Sequence, residues 1–439
     1  MKETSSRATS KARVGFSLVA MLLTTGALGA QVAWAQVPPP APPPVVDPAT
    51  ASAPVPVAAP MDPPPAVAPP VAPVPSAAEA APKPPTAVES MPASRPDVLP
   101  PIQVGAWTRV SGAFQQGTPG GDQSEMNDWK MDSAYVELHA GGKIHKNVGV
   151  TLNLNSNMLT FPGATSAGST VAIMDAIVQF DLMDELHIWA GHLLVPVDRA
   201  NASGPFFMIP WNYPGFLSVG PTVVAGLPKE GPFGRNNGAV VWGDIMGGKL
   251  TYLAGVFDNG DITTSPLYSG RVRLALLDPE PGFWGNASYF GDKDLLSIGI
   301  GGQYQKNGSG LDKDWGEFNI DVLFEKKLGG GSFFTAEAAY YHFNVNEGAL
   351  SISDSAYGLL AFATPTMGVG RIQPMVRYQF MKVKAPAGVD ISNPWNIDVG
   401  LSYLIKGPAL RLVANFNHTK ISDALSANSI QLGAQAIFF

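Results

Sequence analysis

The 439-residue chain contains no cysteine, which excludes a disulfide framework, a thiolate metal site and a cysteine-anchored lipid. Charge is sparse as well, at 14% of residues with a formal net charge of -7, and an acidic chain makes a poor partner for nucleic acid. No apolar run reaches the about 20 residues that a membrane-spanning helix needs. No stretch of length keeps the spacing of an amphipathic helix either. The motifs H-E-x-x-H and G-x-S-x-G and a Gly-rich loop ending in Lys-Ser are all missing, so hydrolytic and nucleotide chemistry lack their usual signals. Six histidines, at 139, 145, 187, 192, 342 and 418, are scattered over different segments. No catalytic site, cofactor or metal is expected.

What is present is unevenly spread. Lys2, Arg7, Lys11 and Arg13 precede an apolar stretch from 16 to 30 and then Ala33-Trp34-Ala35. A basic head, a short apolar middle and a small-x-small site predict a signal peptide over 1–35, cleaved after Ala35. Most of the 41 prolines fall in the next segment, 36–101, which is nearly all Pro, Ala and Val. It lacks the bulk to form a core and reads as a disordered, polyproline-like tether, up to about 200 Å long at about 3.1 Å per residue. A plain spacer is the simpler reading, and peptidoglycan is the candidate partner of the sharper one.

From 102 to 439 the pattern is short alternating segments separated by turn residues. Sixteen strands are predicted, among them 103–116, 237–246, 316–327, 355–363, 393–404, 409–418 and 428–439. Links after even-numbered strands are tight, as in "HKN" at 145, "MGGK" at 246 and "LGGG" at 328. Links after odd-numbered strands are longer, as in "GTPGGDQSEMND" and "NVNEGALSISD". Tight turns at one end, long loops at the other and an even strand count mark a transmembrane antiparallel β-barrel of the bacterial outer membrane. One even-side link breaks the rule, the long "DPEPGFWGNASYFGDKD" from 278 to 294.

The strands have one oily and one wet face. Phe318, Ile320, Val322 and Phe324 alternate with Glu317, Asn319, Asp321 and Glu325, and Ile397, Val399 and Leu401 alternate with Asn396, Asp398 and Ser402. Sixteen strands enclose a lumen too wide for wall side chains to fill, so the oily rows are expected to face lipid. The last strand, with Ile430, Leu432, Ala434, Ala436 and Phe438 on one face, should pair with the first and end in the aromatic girdle. Its Gln-x-Gly-x-x-Ala-x-Phe pattern is similar to the terminal signal read by the barrel-assembly machinery.

"DAIVQFDLMDELHIWAGHLLVP" (175–196) resembles a hairpin of the phosphate-selective porin O and P family, which shows Asp-Ala-x-aliphatic-x-aromatic, a tight turn, Leu-x-aliphatic-Arg-x-Gly and a Pro. The stretch 270–305 carries a similar Asp-Pro and Tyr-x-Gly-x-Lys-Asp-Leu. The resemblance covers the barrel and implies a homotrimeric, sixteen-stranded outer-membrane porin whose third loop folds inward. The family's best-studied members pass phosphate along inward arginines and a lysine cluster. This chain has Trp189 where that hairpin has Arg, so the phosphate preference is not carried over.

Charge supports a weaker selectivity. Residues 102–439 hold 22 Lys and Arg against 29 Asp and Glu. The inward-phase basic residues are Arg109, Arg271, Arg273, Arg377 and Arg411; the acids are Glu137, Asp175, Asp181, Asp321, Glu337 and Asp398. Mixed rows orient dipolar solutes, whereas a ring of one sign selects ions. In the longest loop, 196–236, the expected constriction residues are Asp198, Arg199, Trp211, Lys229, Glu230 and Arg235, and Phe206, Phe207, Trp211 and Tyr213 either pack the loop on the wall or form an aromatic slide for sugars or apolar solutes. The expected activity is passive diffusion of small hydrophilic solutes or ions. A structural link to peptidoglycan and a solute-specific channel for phosphate or sugar are the alternatives.

Overall fold

A strand with one oily and one wet face needs two different solvents, and every backbone donor needs a partner. The computed structural model meets both demands by closing the sheet on itself. It describes residues 102–116, 130–156, 171–214, 234–258, 265–308, 314–344, 351–384, 393–422 and 425–438. The strands are β1 (Gln103–Gln116), β2 (Lys130–His145), β3 (Val148–Ser156), β4 (Val171–Met183), β5 (Leu186–Leu194), β6 (Arg235–Ile245), β7 (Leu250–Asp258) and β8 (Leu267–Ala275). They continue with β9 (Leu295–Gln305), β10 (Trp315–Gly329), β11 (Ser332–Asn344), β12 (Ser351–Ala363), β13 (Arg371–Lys384), β14 (Trp395–Leu404), β15 (Leu410–Ser422) and β16 (Leu425–Phe438). Each pairs antiparallel with its sequence neighbours, and the ring closes where β1 meets β16, Ala106 opposite Phe438 and Gln116 opposite Asn428.

The sixteen expected strands are thus all present, and the ends differ for local reasons. β12 begins at Ser351 rather than 355, because a register shift between Ile352 and Asp354 carries the polar Ser-Ile-Ser-Asp start back onto β13. β15 runs on to Ser422 through a similar shift after Lys420.

The two faces divide as the alternation requires. On β14, Val399 and Leu401 are each 50% exposed while Asp398 and Ser402 are 0% and 1%. On β16, Ile430, Leu432 and Phe438 are exposed while Gln431 and Gln435 are buried. The oily rows therefore face outward, and a closed ladder leaves no strand edge in lipid.

The interior departs from a simple wet bore. Inward-facing Trp189, Trp242, Leu253 and Phe257 join Phe283, Trp315, Tyr341 and Phe343 in one buried apolar cluster. These residues have apolar partners because two connecting segments enter the barrel. Residues 195–214 come in from the end with the long loops, and 276–294 come in from the end with the tight turns.

An arginine on the lipid-facing row should be costly at mid-depth and the cost should fade toward the rims. Val399→Arg is expected to destabilise the barrel by about 2–4 kcal/mol, read as the shift in urea midpoint for unfolding from phospholipid vesicles. An unchanged midpoint would place Val399 away from lipid.

Candidate functional site

The inward segment 195–214 has little secondary structure of its own, only the five-residue helix α1 (Arg199–Ser203) capped by Asp198. Its carbonyls consequently need donors from elsewhere, and the inward arginines supply them. Arg271 Nη1 donates to the Val197 carbonyl at 3.2 Å, and Arg411 Nη1 donates to that of Ile209 at 3.2 Å. Arg109 Nη2 donates to the Trp211 carbonyl at 2.5 Å, and Arg377 Nη1 donates to that of Asn212 at 2.8 Å. Gln435 Nε2 adds a bond to the Phe206 carbonyl at 2.9 Å. The loop is held by walls on β8, β13, β15, β16 and β1 in turn.

Close approach makes this possible at two glycines. A Cβ on Gly301 of β9 would sit 1.9 Å from the Val197 carbonyl oxygen, and one on Gly433 of β16 would sit 2.8 Å from the Trp211 ring. Trp211 lies flat enough on that wall for the Arg109 guanidinium to stack 3.9 Å from its ring centroid.

The second segment meets the first at Arg199. All five N–H groups of this arginine are used: Nε to Asp321 at 3.2 Å, Nη1 to Glu280 at 2.6 Å and to the Asn286 carbonyl at 2.8 Å, Nη2 to Glu280 at 3.0 Å and to Ser297 Oγ at 2.8 Å. Glu280 also accepts from Tyr289 Oη at 2.8 Å and Ser297 Oγ at 2.5 Å, and Arg273 Nε lies 3.3 Å away. Arg273 further donates to the Glu280 and Gly282 carbonyls. Burial alone would raise the Glu280 carboxyl, but the Arg199 guanidinium, its hydrogen bonds and Arg273 outweigh it and hold the group well below the usual carboxylate range. Asp198 goes the other way. Burial pushes it up against the bonds it accepts from Asn201 and the nearby Arg271.

Much of the interior charge is paired, whereas Arg411, 0% exposed, bonds the Ile209 carbonyl and Gln435 Oε1 and meets no carboxylate among the described residues. Arg271 pairs with Asp321 at 2.6 Å, Arg377 with Asp398 at 2.8 Å and Arg235 with Asp175 at 3.3 Å. Glu337, 5% exposed, accepts from Tyr357 Oη at 2.7 Å. Lys229 and Glu230 lie outside the described residues. Every other expected site residue faces the interior, and Asp198, Arg199, Arg271 and Asp321 are brought together at one place. Trp189 also faces inward, its indole N–H donating to Asp181 at 3.1 Å.

Between the inward segments and the wall of β1 to β6 lies a cavity of about 560 Å³. It runs from Gln103 and Gly141 near the tight turns to Asp175 and Arg235 nearer the loops. A continuous chain of contacts crosses its floor. Tyr135 Oη donates to Glu137 at 2.6 Å, Glu137 faces His139 Nε2 at 3.1 Å, and His139 Nδ1 bonds Asn153 Oδ1 at 2.7 Å. Asn153 Nδ2 then donates to Asp175 at 2.7 Å, which pairs with Arg235. Trp107, His139, Asn153, Glu280 and Trp284 were not marked by sequence reasoning. The available signal for the last two was the overlong, aromatic-bearing link at 278–294. No group of three or more potential metal ligands is found among the described residues.

A closed sixteen-stranded barrel with oily rows outside, charged rows inside and its third long connection folded inward has the architecture of the outer-membrane porins. Solved structures agree. OprB of Pseudomonas putida at high pH superposes with a TM-score of 0.56 at 10% identity, covering 77% of this chain and 94% of that one. An anion-selective porin from Comamonas acidovorans gives 0.51 at 13% identity, covering 77% and 99%. At such identities the likeness is one of fold. No protein-family model and no curated protein matches the sequence.

Glu280→Gln would leave Arg199 and Arg273 without their shared carboxylate, and breaking a buried pair costs about 3–5 kcal/mol. The loss should appear as a lower melting temperature and faster tryptic cleavage at Arg199. Because the Glu280 carboxyl is depressed in the folded state, its contribution is complete above the ordinary carboxylate range and is lost only as pH falls through the lower folded value. The melting-temperature gap between wild type and Glu280→Gln should therefore persist at pH 4. No gap at pH 6 would mean the pair is not formed.

Proposed function

We propose that the chain is an outer-membrane porin, a water-filled channel through which small hydrophilic solutes and ions diffuse passively. The observation that carries this reading is the closed sixteen-strand ladder with apolar rows outward and ionised rows inward, an arrangement suited to hydrocarbon around water. The tight-turn end would then face the periplasm and the long loops the exterior.

Weak selectivity belongs to the same reading. Its support is that Arg271, Arg377, Arg199 and Arg235 are paired with Asp321, Asp398, Glu280 and Asp175, so that acids and bases are mixed along the interior. The likeness of 175–196 and 270–305 to phosphate-selective porins supports a common lineage, while Trp189 argues against phosphate as the solute. Cleavage after Ala35, a Pro-rich tether at 36–101, delivery through the terminal strand, assembly as a homotrimer and contact of the tether with peptidoglycan complete the proposal. No catalytic step is part of it.

Purified protein in a planar bilayer should give stepwise conductance with a small reversal potential in a salt gradient. An electrically silent protein that co-sediments with peptidoglycan would instead be a structural link. Since the described part of segment 203–228 crosses the interior against β1, β13, β15 and β16, its deletion should raise single-channel conductance. Unchanged conductance would mean the loop does not narrow the path.

A further inference from the structure

The cavity beside β1 to β6 sorts its groups by solvent access in an unusual way. The acids and the arginine in its lining, Glu137, Asp175 and Arg235, are 4%, 1% and 6% exposed. Each is engaged, Glu137 by Tyr135 and His139, and Asp175 by Asn153 and Arg235. Besides His139, which is turned to Glu137 and Asn153 and lies against Trp107, the half-exposed side chains are uncharged and of two kinds. Trp107, Phe207 and Trp284 offer aromatic surface, and Thr151, Gln179 and Asn286 offer a hydroxyl and amides that both donate and accept.

The aromatic groups are held in place. The Trp107 ring lies 3.9 Å from that of His139 and meets Phe207 edge-on at 5.6 Å. Trp284 has the Arg235 guanidinium 5.4 Å from its centroid. The volume of about 560 Å³ falls in the range of small-molecule sites, about 300–1,000 Å³.

We infer that this cavity is a stacking site for an uncharged, ring-shaped polyol, a monosaccharide unit with an apolar C–H face and a rim of hydroxyls. The C–H face fits the indole surfaces, and hydroxyls, which give and take hydrogen bonds, match amides and a threonine. An inorganic anion fits poorly, since two carboxylates flank the site and Arg235 already serves Asp175. A free cation fits poorly as well, because both carboxylates are buried in the contact chain. The inference deepens the porin reading and rests on it, since the cavity must lie along the solute path.

The test uses the full mature chain in planar bilayers with glucose, inorganic phosphate or tetramethylammonium added to the bath. Glucose should reduce the ion current in a saturable way, and Trp107→Ala and Trp284→Ala should each weaken that block by up to about tenfold, measured against each variant's own unblocked current. Trp107→Phe, which keeps a ring, should retain most of the affinity. A saturable tryptophan-fluorescence shift on adding glucose to detergent-solubilised wild type gives a readout that needs no current. Block by phosphate or tetramethylammonium with glucose inert, glucose effects that never saturate, or wild-type affinity in both alanine variants would overturn the inference. A wild type that is silent in bilayers yet shows the saturable fluorescence shift would overturn the porin reading and leave the sugar site standing.

Discussion

In hydrocarbon an unpaired peptide group costs several kcal/mol, so a sheet placed there has to close. Closure at sixteen strands has its own consequence, since a ring that large cannot fill its middle with wall side chains alone. This protein answers by bringing in backbone from both ends. Irregular backbone in turn carries unsatisfied carbonyls, and these fix what the inner wall must offer. Donors that reach several ångströms from a strand and never lose their proton are arginines. The inward rows of Arg109, Arg271, Arg273, Arg377 and Arg411 are placed where such donors are needed.

That placement changes how a row of interior arginines is understood. A guanidinium fully bonded to loop carbonyls and one carboxylate is a fastener whose field is largely cancelled by its partner. Arg377, between Asp398 and the Asn212 carbonyl, is a clear case. Acids compensate Arg271, Arg273 and Arg377 in this way, while Arg411 is buried on neutral acceptors, the Ile209 carbonyl and Gln435 Oε1.

Much of the barrel was legible because a strand writes its two solvents into every second residue. Val399 against Asp398 and Phe318 against Glu317 give the face directly, and the tight turns give the direction of the chain. Inward phase was equally readable for Arg109 or Glu137. Partners were not. Arg199 meets Glu280 across 81 positions and Gln435 meets Phe206 across 229, and no local pattern encodes a contact between two connecting segments. The apolar lumen cluster escaped for a related reason: the inward phase of Trp189 and Trp242 gives no sign that Phe283, on a connecting segment, packs against both. His139 and Asn153 were missed because a single polar residue on a strand gives no sign of the chain of contacts it joins.

The inward loop is fastened to the first strand by Arg109, to the last by Gln435 and to the middle of the barrel by Asp321. Such a loop cannot settle while the two outermost strands are still apart, since its anchors would then lie on opposite sides of an open sheet. Sealing the seam and fixing the inner loop therefore depend on one another. A nascent barrel that has not yet zipped shut is, by the same token, one whose interior is still loose.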